Sequence, residues 1–265
     1  MDSKNKIPII KRTRGYLIYD ISGKRYLDFY QDSGRAILGH RLEGITRVIK
    51  STAARGLIAG YPSIYTARMD KQLKLLFPGA KEFRIYSNID RAVAALSINE
   101  GKKILVSDFV DFPTTSCKYA FWRPFLTHSM EWQDSKYFIP ILPFPGNFGP
   151  VVIAANSSVG DFPPSDSLSP MLCDILIKST ASLIRFLDEA DSKKWEVFES
   201  PLWEKNGPYL RFKLKGEAYA AFFEKALESG VLLPTGAEIP GIIPMIYEDG
   251  QIKDFMRMVR SDYGS

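Results

Sequence analysis

Apolar and polar positions alternate at short range in the first thirty residues and at helical spacing after them. Residues 16–19 and 25–29 are two runs of strand formers separated by the Ser22-Gly23 turn, which predicts a short hairpin. Over residues 42–56 the apolar positions are Ile45, Val48, Ile49 and Ala53, a helical spacing that ends on Gly56. Gly60-Tyr61-Pro62-Ser63 predicts a loop, and residues 66–76 a second helix closed by Pro78-Gly79. Residues 83–86 predict a strand leading into Ser87-Asn88, residues 90–98 a helix carrying Ala92, Ala94, Ala95 and Leu96, and residues 103–106 another strand. Strand, helix and strand joined by short links predict a β-α-β unit with parallel pairing, and therefore an α/β layer.

Between residues 108 and 150 the periodicity breaks down. Phe121-Trp122-Arg123-Pro124-Phe125 and Phe138-Ile139-Pro140-Ile141-Leu142-Pro143-Phe144-Pro145 crowd aromatics against prolines, which predicts packed irregular chain with one or two short edge strands. Residues 151–155 predict a buried strand and residues 160–165 a loop. Leu168-Ser169-Pro170 opens a helix with Leu172, Ile175, Leu176, Leu183, Ile184 and Leu187 as its apolar positions, expected to run to residue 189. The remainder predicts a separate α+β unit: strands over 195–199 and 209–214, an amphipathic helix over 217–228 ending at Gly230, a short strand over 231–233 and a last helix over 251–259. There is no internal repeat and no low-complexity segment.

Composition narrows the function classes. A chain of 265 residues, 45% hydrophobic and 25% charged, can bury a substantial core. Its net charge of +5 comes from 35 basic residues scattered among 30 acids, and the densest basic stretch, Lys11-Arg12-Thr13-Arg14, reads as a solvated arm, so no nucleic-acid partner is expected. Cys117 and Cys173 stand far apart with no C-x-x-C spacing, which argues against a disulfide framework and a zinc site; no metal is expected. The polar start Met1-Asp2-Ser3-Lys4-Asn5-Lys6 precedes no apolar leader, and no apolar run approaches a membrane span. The expectation is a cytoplasmic protein without a membrane segment.

The stretch Arg14-Gly15-Tyr16-Leu17-Ile18-Tyr19-Asp20-Ile21-Ser22-Gly23-Lys24-Arg25-Tyr26-Leu27-Asp28-Phe29, followed by Leu38-Gly39-His40, resembles the N-terminal segment of class III aminotransferases, the pyridoxal-phosphate (PLP) family that includes glutamate-1-semialdehyde aminomutase. Gly207-Pro208-Tyr209-Leu210-Arg211-Phe212, Ala221-Phe222-Phe223-Glu224-Lys225-Ala226-Leu227 and Gly230-Val231-Leu232-Leu233-Pro234 resemble the family's ending. The resemblance implies an α/β chain of truncated fold type I PLP-transferase architecture. Residues 1–50 would be an N-terminal arm and hairpin segment, residues 51–190 a reduced large α/β domain, and residues 191–265 a small α+β domain. It also implies a homodimer, because the family builds its sites at a dimer interface.

The family's functional motifs are rewritten in this chain. Its phosphate cradle is an S-G-[ST]-E-A turn at a helix N-terminus, where small residues let backbone N–H groups approach an anion. Here the matching stretch is Asn88-Ile89-Asp90-Arg91-Ala92: Ile89 obstructs that approach, Asp90 adds negative charge, and Asp90 reads instead as a helix N-cap stabilising by about 1 kcal/mol. The counterpart of the aromatic that stacks on the cofactor is Phe112, with core packing as the alternative, and the aspartate that holds the pyridine nitrogen protonated has no counterpart. The Schiff-base lysine precedes a G-[GN]-G-x-P stretch; Gly146-Asn147-Phe148-Gly149-Pro150 resembles it, and the lysine position is Pro143. The other lysines to weigh are Lys136 and Lys178. The short span between Thr115 and Pro143 implies that several β-α units are missing.

The remaining constellations carry little chemistry. His40 is expected to cap or hydrogen-bond near a residual cleft, and His128 and Ser129, adjacent in a strand, would point to opposite faces. There is no G-x-S-x-G, H-E-x-x-H, Walker loop or G-x-G-x-x-G. Asp28 and Asp32 read as solvated. Trp122, Phe125, Trp132, Tyr137 and Phe138 read as replacement core, with a pocket or interface as the alternative. The expectation is thus a degenerate aminotransferase-like protein that needs no cofactor. It would bind a small amino-containing or phosphorylated metabolite, or act structurally or on a catalytic paralogue. The alternative is an active PLP enzyme whose lysine comes from Lys136, Lys178 or a partner.

Overall fold

The computed structural model describes residues 7–108, 118–126, 135–144, 148–157, 162–189 and 193–264. In chain order the first elements are β1 (Ile10–Arg14), β2 (Leu17–Asp20), β3 (Arg25–Asp28), α1 (Ile45–Ala54), α2 (Ile64–Leu76), β4 (Glu82–Tyr86) and α3 (Ile89–Glu100). They are followed by β5 (Ser107–Asp108), β6 (Tyr119–Trp122), β7 (Tyr137–Pro140), β8 (Val151–Ala155), α4 (Pro170–Glu189) and α5 (Lys193–Glu196). The last are β9 (Trp203–Asn206), β10 (Tyr209–Phe212), α6 (Gly216–Glu228), β11 (Val231–Leu232), β12 (Gly241–Ile242) and α7 (Asp249–Tyr263).

The chain divides into two units, Met1–Leu42 with Phe125–Thr127 and Glu189–Ser265, and Glu43–Pro124 with His128–Asp188. Most of the segment 1–50 and all of 191–265, drawn separately from the sequence, therefore fall in one unit. The reason is strand pairing: β11 lies parallel to β3, with Val231 opposite Leu27 and Leu232 opposite Asp28, completing the sheet β1-β2-β3-β11. The expected hairpin is β2-β3, antiparallel with Leu17 opposite Leu27, and its turn is held by the Asp20 carboxylate, which accepts from the Ser22 hydroxyl and the Lys24 N–H. A second sheet, β12-β10-β9, packs its apolar side chains with Phe29, Phe222 and Phe255. Trp203 and Phe255 stack nearly parallel, 6.4 Å between centroids and 7° between planes, and Phe29 meets Phe255 edge-on at 5.7 Å. Residues 195–199 are not a strand. Trp195 and Phe198 are both buried three apart, a helical spacing, and α5 leads into a turn there; the strand that precedes β10 and pairs with it is β9.

The second unit is built on a five-stranded sheet of order β4-β8-β7-β6-β5. Its topology differs from the simple β-α-β expectation. β4 pairs antiparallel with β8 over its whole length, from Glu82 opposite Ala155 to Tyr86 opposite Val151, and β5 stands at the far edge. Residues 103–106 form no strand: Ile104 is buried and its N–H donates to Ser97 Oγ, so pairing begins only at Ser107. Among the described residues the stretch 108–150 holds two strands and both are interior, against expectation: β6 lies between β5 and β7, and β7 lies between β6 and β8 with all four residues buried. Its prolines are accommodated by position. Tyr137 N–H and Ile141 N–H both donate toward the β6 side, so the nitrogen of Pro140 faces the β8 side, beyond the last registered pair of Phe138 with Ala154. α3 seals this sheet with Ala92, Ala95 and Leu96. Among the described residues no helix is long and apolar enough to cross a membrane, and no group of three His, Cys, Asp or Glu could hold a metal.

Candidate functional site

β4 delivers the chain to the N-terminus of α3, where the sequence places its phosphate-cradle counterpart. The N-cap is Asn88, not Asp90: Asn88 has extended backbone and its Oδ1 accepts from the Arg91 N–H at 2.9 Å, while Asp90 lies in the first turn. Beside it runs the segment 162–169, tied to β4 by Asp166 N–H donating to the Ile85 carbonyl at 2.8 Å, Ile85 N–H donating to Ser165 Oγ at 3.1 Å, and Tyr86 OH donating to the Pro163 carbonyl at 2.7 Å. This lattice sets the Asp166 carboxylate at the head of the helix. Oδ2 accepts from Ser87 N–H at 2.8 Å and from Arg91 Nε at 2.9 Å, and Oδ1 accepts from the other guanidinium nitrogen. Burial alone would raise the Asp166 pKa, but the Arg91 guanidinium and the Ser87 N–H outweigh it and hold the carboxyl below its ordinary range. The same ion pair raises Arg91. A carboxylate of the chain itself stands beside the helix N-terminus, bonded to the N–H of Ser87 ahead of the cap and to the Arg91 side chain.

The lysine positions are separated by the fold. Pro143 is buried in the link between β7 and β8, past the C-terminal end of β7, whereas Lys136 precedes the N-terminal end of that strand. Lys136 Nζ lies 2.6 Å from Glu100 Oε1 at the last residue of α3, about 18 Å along the helix from Asn88. Glu100 Oε2 accepts from Tyr119 OH at 2.6 Å, and the Lys136 ammonium sits 5.1 Å from the Tyr137 ring centroid. The Glu100 hydrogen bond raises Lys136 and so holds it as an ammonium, while burial first and Glu100 second push Tyr119 up to about 12. Lys178, on α4, lies over the left-handed Gly44 that precedes α1, where a Cβ would meet its Cε at 2.8 Å.

His40 belongs to the other unit. Its Nε2 lies 2.6 Å from Asp28 Oδ2, and its N–H donates to the Gly15 carbonyl at 2.8 Å. Asp28, expected to be solvated, is 1% exposed; Oδ1 accepts from the N–H groups of Tyr30 at 2.8 Å and Gln31 at 3.0 Å. These bonds anchor three consecutive residues in left-handed backbone, Gln31, Asp32 and Ser33, with φ of 47°, 48° and 57°. Gln31 is held in turn by Nε2 donating to the Ile242 carbonyl at 2.9 Å. Phe112, Cys117, His128, Ser129 and Trp132 lie outside the described residues.

Asp166 is the residue that the sequence did not reveal. It stands in Pro163-Pro164-Ser165-Asp166-Ser167, which reads only as loop, and its partner Arg91 is 75 positions away. The one local signal was the acid itself among small turn residues ahead of a helix.

No family model matches this chain. A protein of uncharacterized function from Borreliella burgdorferi is 26% identical over 255 residues, covering 96% of this chain and 91% of the relative. Another from Treponema pallidum is 23% identical over 294 residues, covering 93% and 92%. Among solved structures, the ornithine δ-aminotransferase of Plasmodium falciparum superposes with a TM-score of 0.68 at 13% identity, over 98% of this chain and 94% of that one. An omega-transaminase from Sphaerobacter thermophilus gives 0.67 at 12% identity, over 97% and 92%. A glutamate-1-semialdehyde aminomutase from Pseudomonas aeruginosa gives 0.66 at 11% identity, over 96% and 86%. These likenesses establish the fold: an aminotransferase-like α/β fold of the PLP-transferase kind, in a chain of 265 residues.

Proposed function

We propose that this protein is a PLP-independent, cytoplasmic homodimer of aminotransferase fold, in which binding or structural work has replaced transamination. The observation that carries this reading is the Asp166 carboxylate at the head of α3, bonded to Ser87 N–H and to Arg91. A cofactor phosphate at that helix would meet a fixed carboxylate and the bulk of Ile89 where the cradle needs open backbone N–H groups. The residues present do not fit PLP. Pro143 offers no amine at the Schiff-base position, and Lys136 is committed to Glu100.

Support for a second copy as partner comes from α1 and the link that follows it. Of the apolar residues that give α1 its amphipathic face, none is buried, and Ile49 is exposed together with Ile58, Tyr61 and Ile64. Sedimentation of the purified chain, with Ile58→Asp as the comparison, is expected to give a dimer that the substitution dissociates; a monomer at micromolar concentration overturns this part.

The test of the central reading is an absorbance titration with PLP, followed by borohydride trapping and peptide mapping. The expected result is no internal-aldimine band and no stoichiometric adduct at one lysine. A single trapped lysine, Lys136 or Lys178 included, overturns the reading and names the replacement for Pro143.

A further inference from the structure

The second unit contains a cavity of about 400 Å³ between the start of α2, strand β4, the segment 165–168 and α4. That volume lies within the range of small-molecule sites. Its floor is apolar: Met69, Phe83, Ile85 and Cys173 are all buried. Burial pushes the Cys173 thiol up to about 11, so it contributes as a small apolar group and not as a nucleophile.

One polar group in the lining has no structural duty. Ser63 occupies the N-cap position of α2 with extended backbone, φ −146° and ψ 162°, the conformation in which a serine ordinarily accepts from the first-turn N–H groups. Its side chain caps nothing. Ser63 Oγ is buried with no hydrogen-bond partner, although a buried hydroxyl left unpaired costs about 1–3 kcal/mol. Across the lining, Ser165 Oγ accepts from Ile85 N–H, which leaves its own proton for another acceptor.

The charges around the cavity select among ligands. Among the described residues no lysine, arginine or histidine lines it, so an anion meets there only the carboxylates of Asp70 and Asp166. Each carboxylate is already matched by a cation of this chain, Asp70 by Lys74 at 2.7 Å and Asp166 by Arg91, so a cationic ligand gains little from either. We infer that this cavity is a binding site for a small neutral molecule that joins an apolar body to one hydroxyl or carbonyl oxygen, the oxygen pairing with Ser63 Oγ and the body resting on Met69, Phe83 and Ile85. The inference goes beyond the proposed function and holds with or without cofactor chemistry.

An isosteric series tests it: benzyl alcohol, benzylamine and benzoate, titrated into the full chain and followed by the methyl NMR signals of Met69 and Ile85. Benzyl alcohol is expected to shift both methyls saturably and to bind at least about fivefold more tightly than either charged analogue. Ser63→Ala is expected to weaken benzyl alcohol about tenfold and to raise the melting temperature of the free chain, since the hydroxyl is not a cap and its unpaired burial is relieved. Leu168→Trp, at a half-buried wall of the cavity, is expected to abolish binding. The inference is overturned if no probe shifts these methyls, if a charged analogue binds more tightly than the alcohol, or if Ser63→Ala lowers the melting temperature without weakening binding. PLP bound to a lysine would leave this result untouched, so the two readings fail separately.

Discussion

Asp28 Oδ2 and His40 Nε2 lie 2.6 Å apart, and the same buried carboxylate accepts from the backbone N–H groups of Tyr30 and Gln31, where the left-handed run begins. The pair therefore joins the end of β3 to the chain beyond residue 38, across a stretch whose backbone is strained and has no glycine in its first three positions.

Removing either partner should show which bonds matter. Asp28→Ala leaves the Gln31 N–H buried and the Tyr30 N–H half-buried without acceptors and is expected to cost about 3 kcal/mol, whereas His40→Ala leaves both of those bonds intact and should cost about 1 kcal/mol. Urea denaturation of the two variants measures the difference; equal losses would mean that the imidazole, not the backbone bonds, holds the turn.

Acid should loosen the head of α3. The folded Asp166 carboxyl titrates below its ordinary range, so the unfolded chain takes up a proton first, and stability rises with pH through that interval. The contribution is complete above about pH 4 and is lost as pH falls below it. Melting temperatures recorded from neutral pH downward are expected to fall more steeply for the natural chain than for Asp166→Asn, which has no carboxylate to protonate.

Alkali acts at the opposite end of that helix. Tyr119 is pushed up to about 12 by burial and by Glu100, against an ordinary value of 10.0. Above about pH 10 the unfolded chain loses that proton while the folded chain keeps it, so the stabilisation is present below pH 10 and lost as pH rises toward 12. Tyr119→Phe is expected to flatten the alkaline decline in melting temperature and to leave fewer late-ionising phenols in the folded protein's absorbance titration.

Gly207 turns the chain between β9 and β10 with φ of +58°, and a Cβ there would collide with the Phe125 carbonyl. Gly207→Ala combines a left-handed alanine with a backbone clash and is expected to destabilise by about 3 kcal/mol or more. Gly23→Ala, at a turn with open space around it, should cost only about 1 kcal/mol. Thermal or urea unfolding of the two variants compares them directly.

Local pattern carried some parts of this fold and not others. The β2-β3 hairpin, α4 and the buried run of β8 were legible because their periodicity, turn residues and apolar content lie within single segments. The interior place of β7 was not, since prolines argue against interior strands unless the partner ladder has already ended, and that depends on the register with β8. Asp28 read as solvated because the groups that surround it come from His40 and from β11, some two hundred positions later. The sequence pointed to Asp90 as the cap; the extended backbone at Asn88, whose side chain accepts from the Arg91 N–H, sets the cap two residues earlier. The candidate site was half visible. The residues of the cradle counterpart, 88–91, and the Pro143 that the resemblance sets at the lysine position can be read from the sequence, but the carboxylate beside the helix head is a fact of tertiary structure.

That carboxylate is a tethered occupant. A soluble anion at a helix head comes and goes with its concentration, whereas Asp166 is delivered by covalent chain at an effective concentration that dilution cannot change. The order of residues 87–91 is therefore the same in a phosphate-rich medium and a phosphate-poor one.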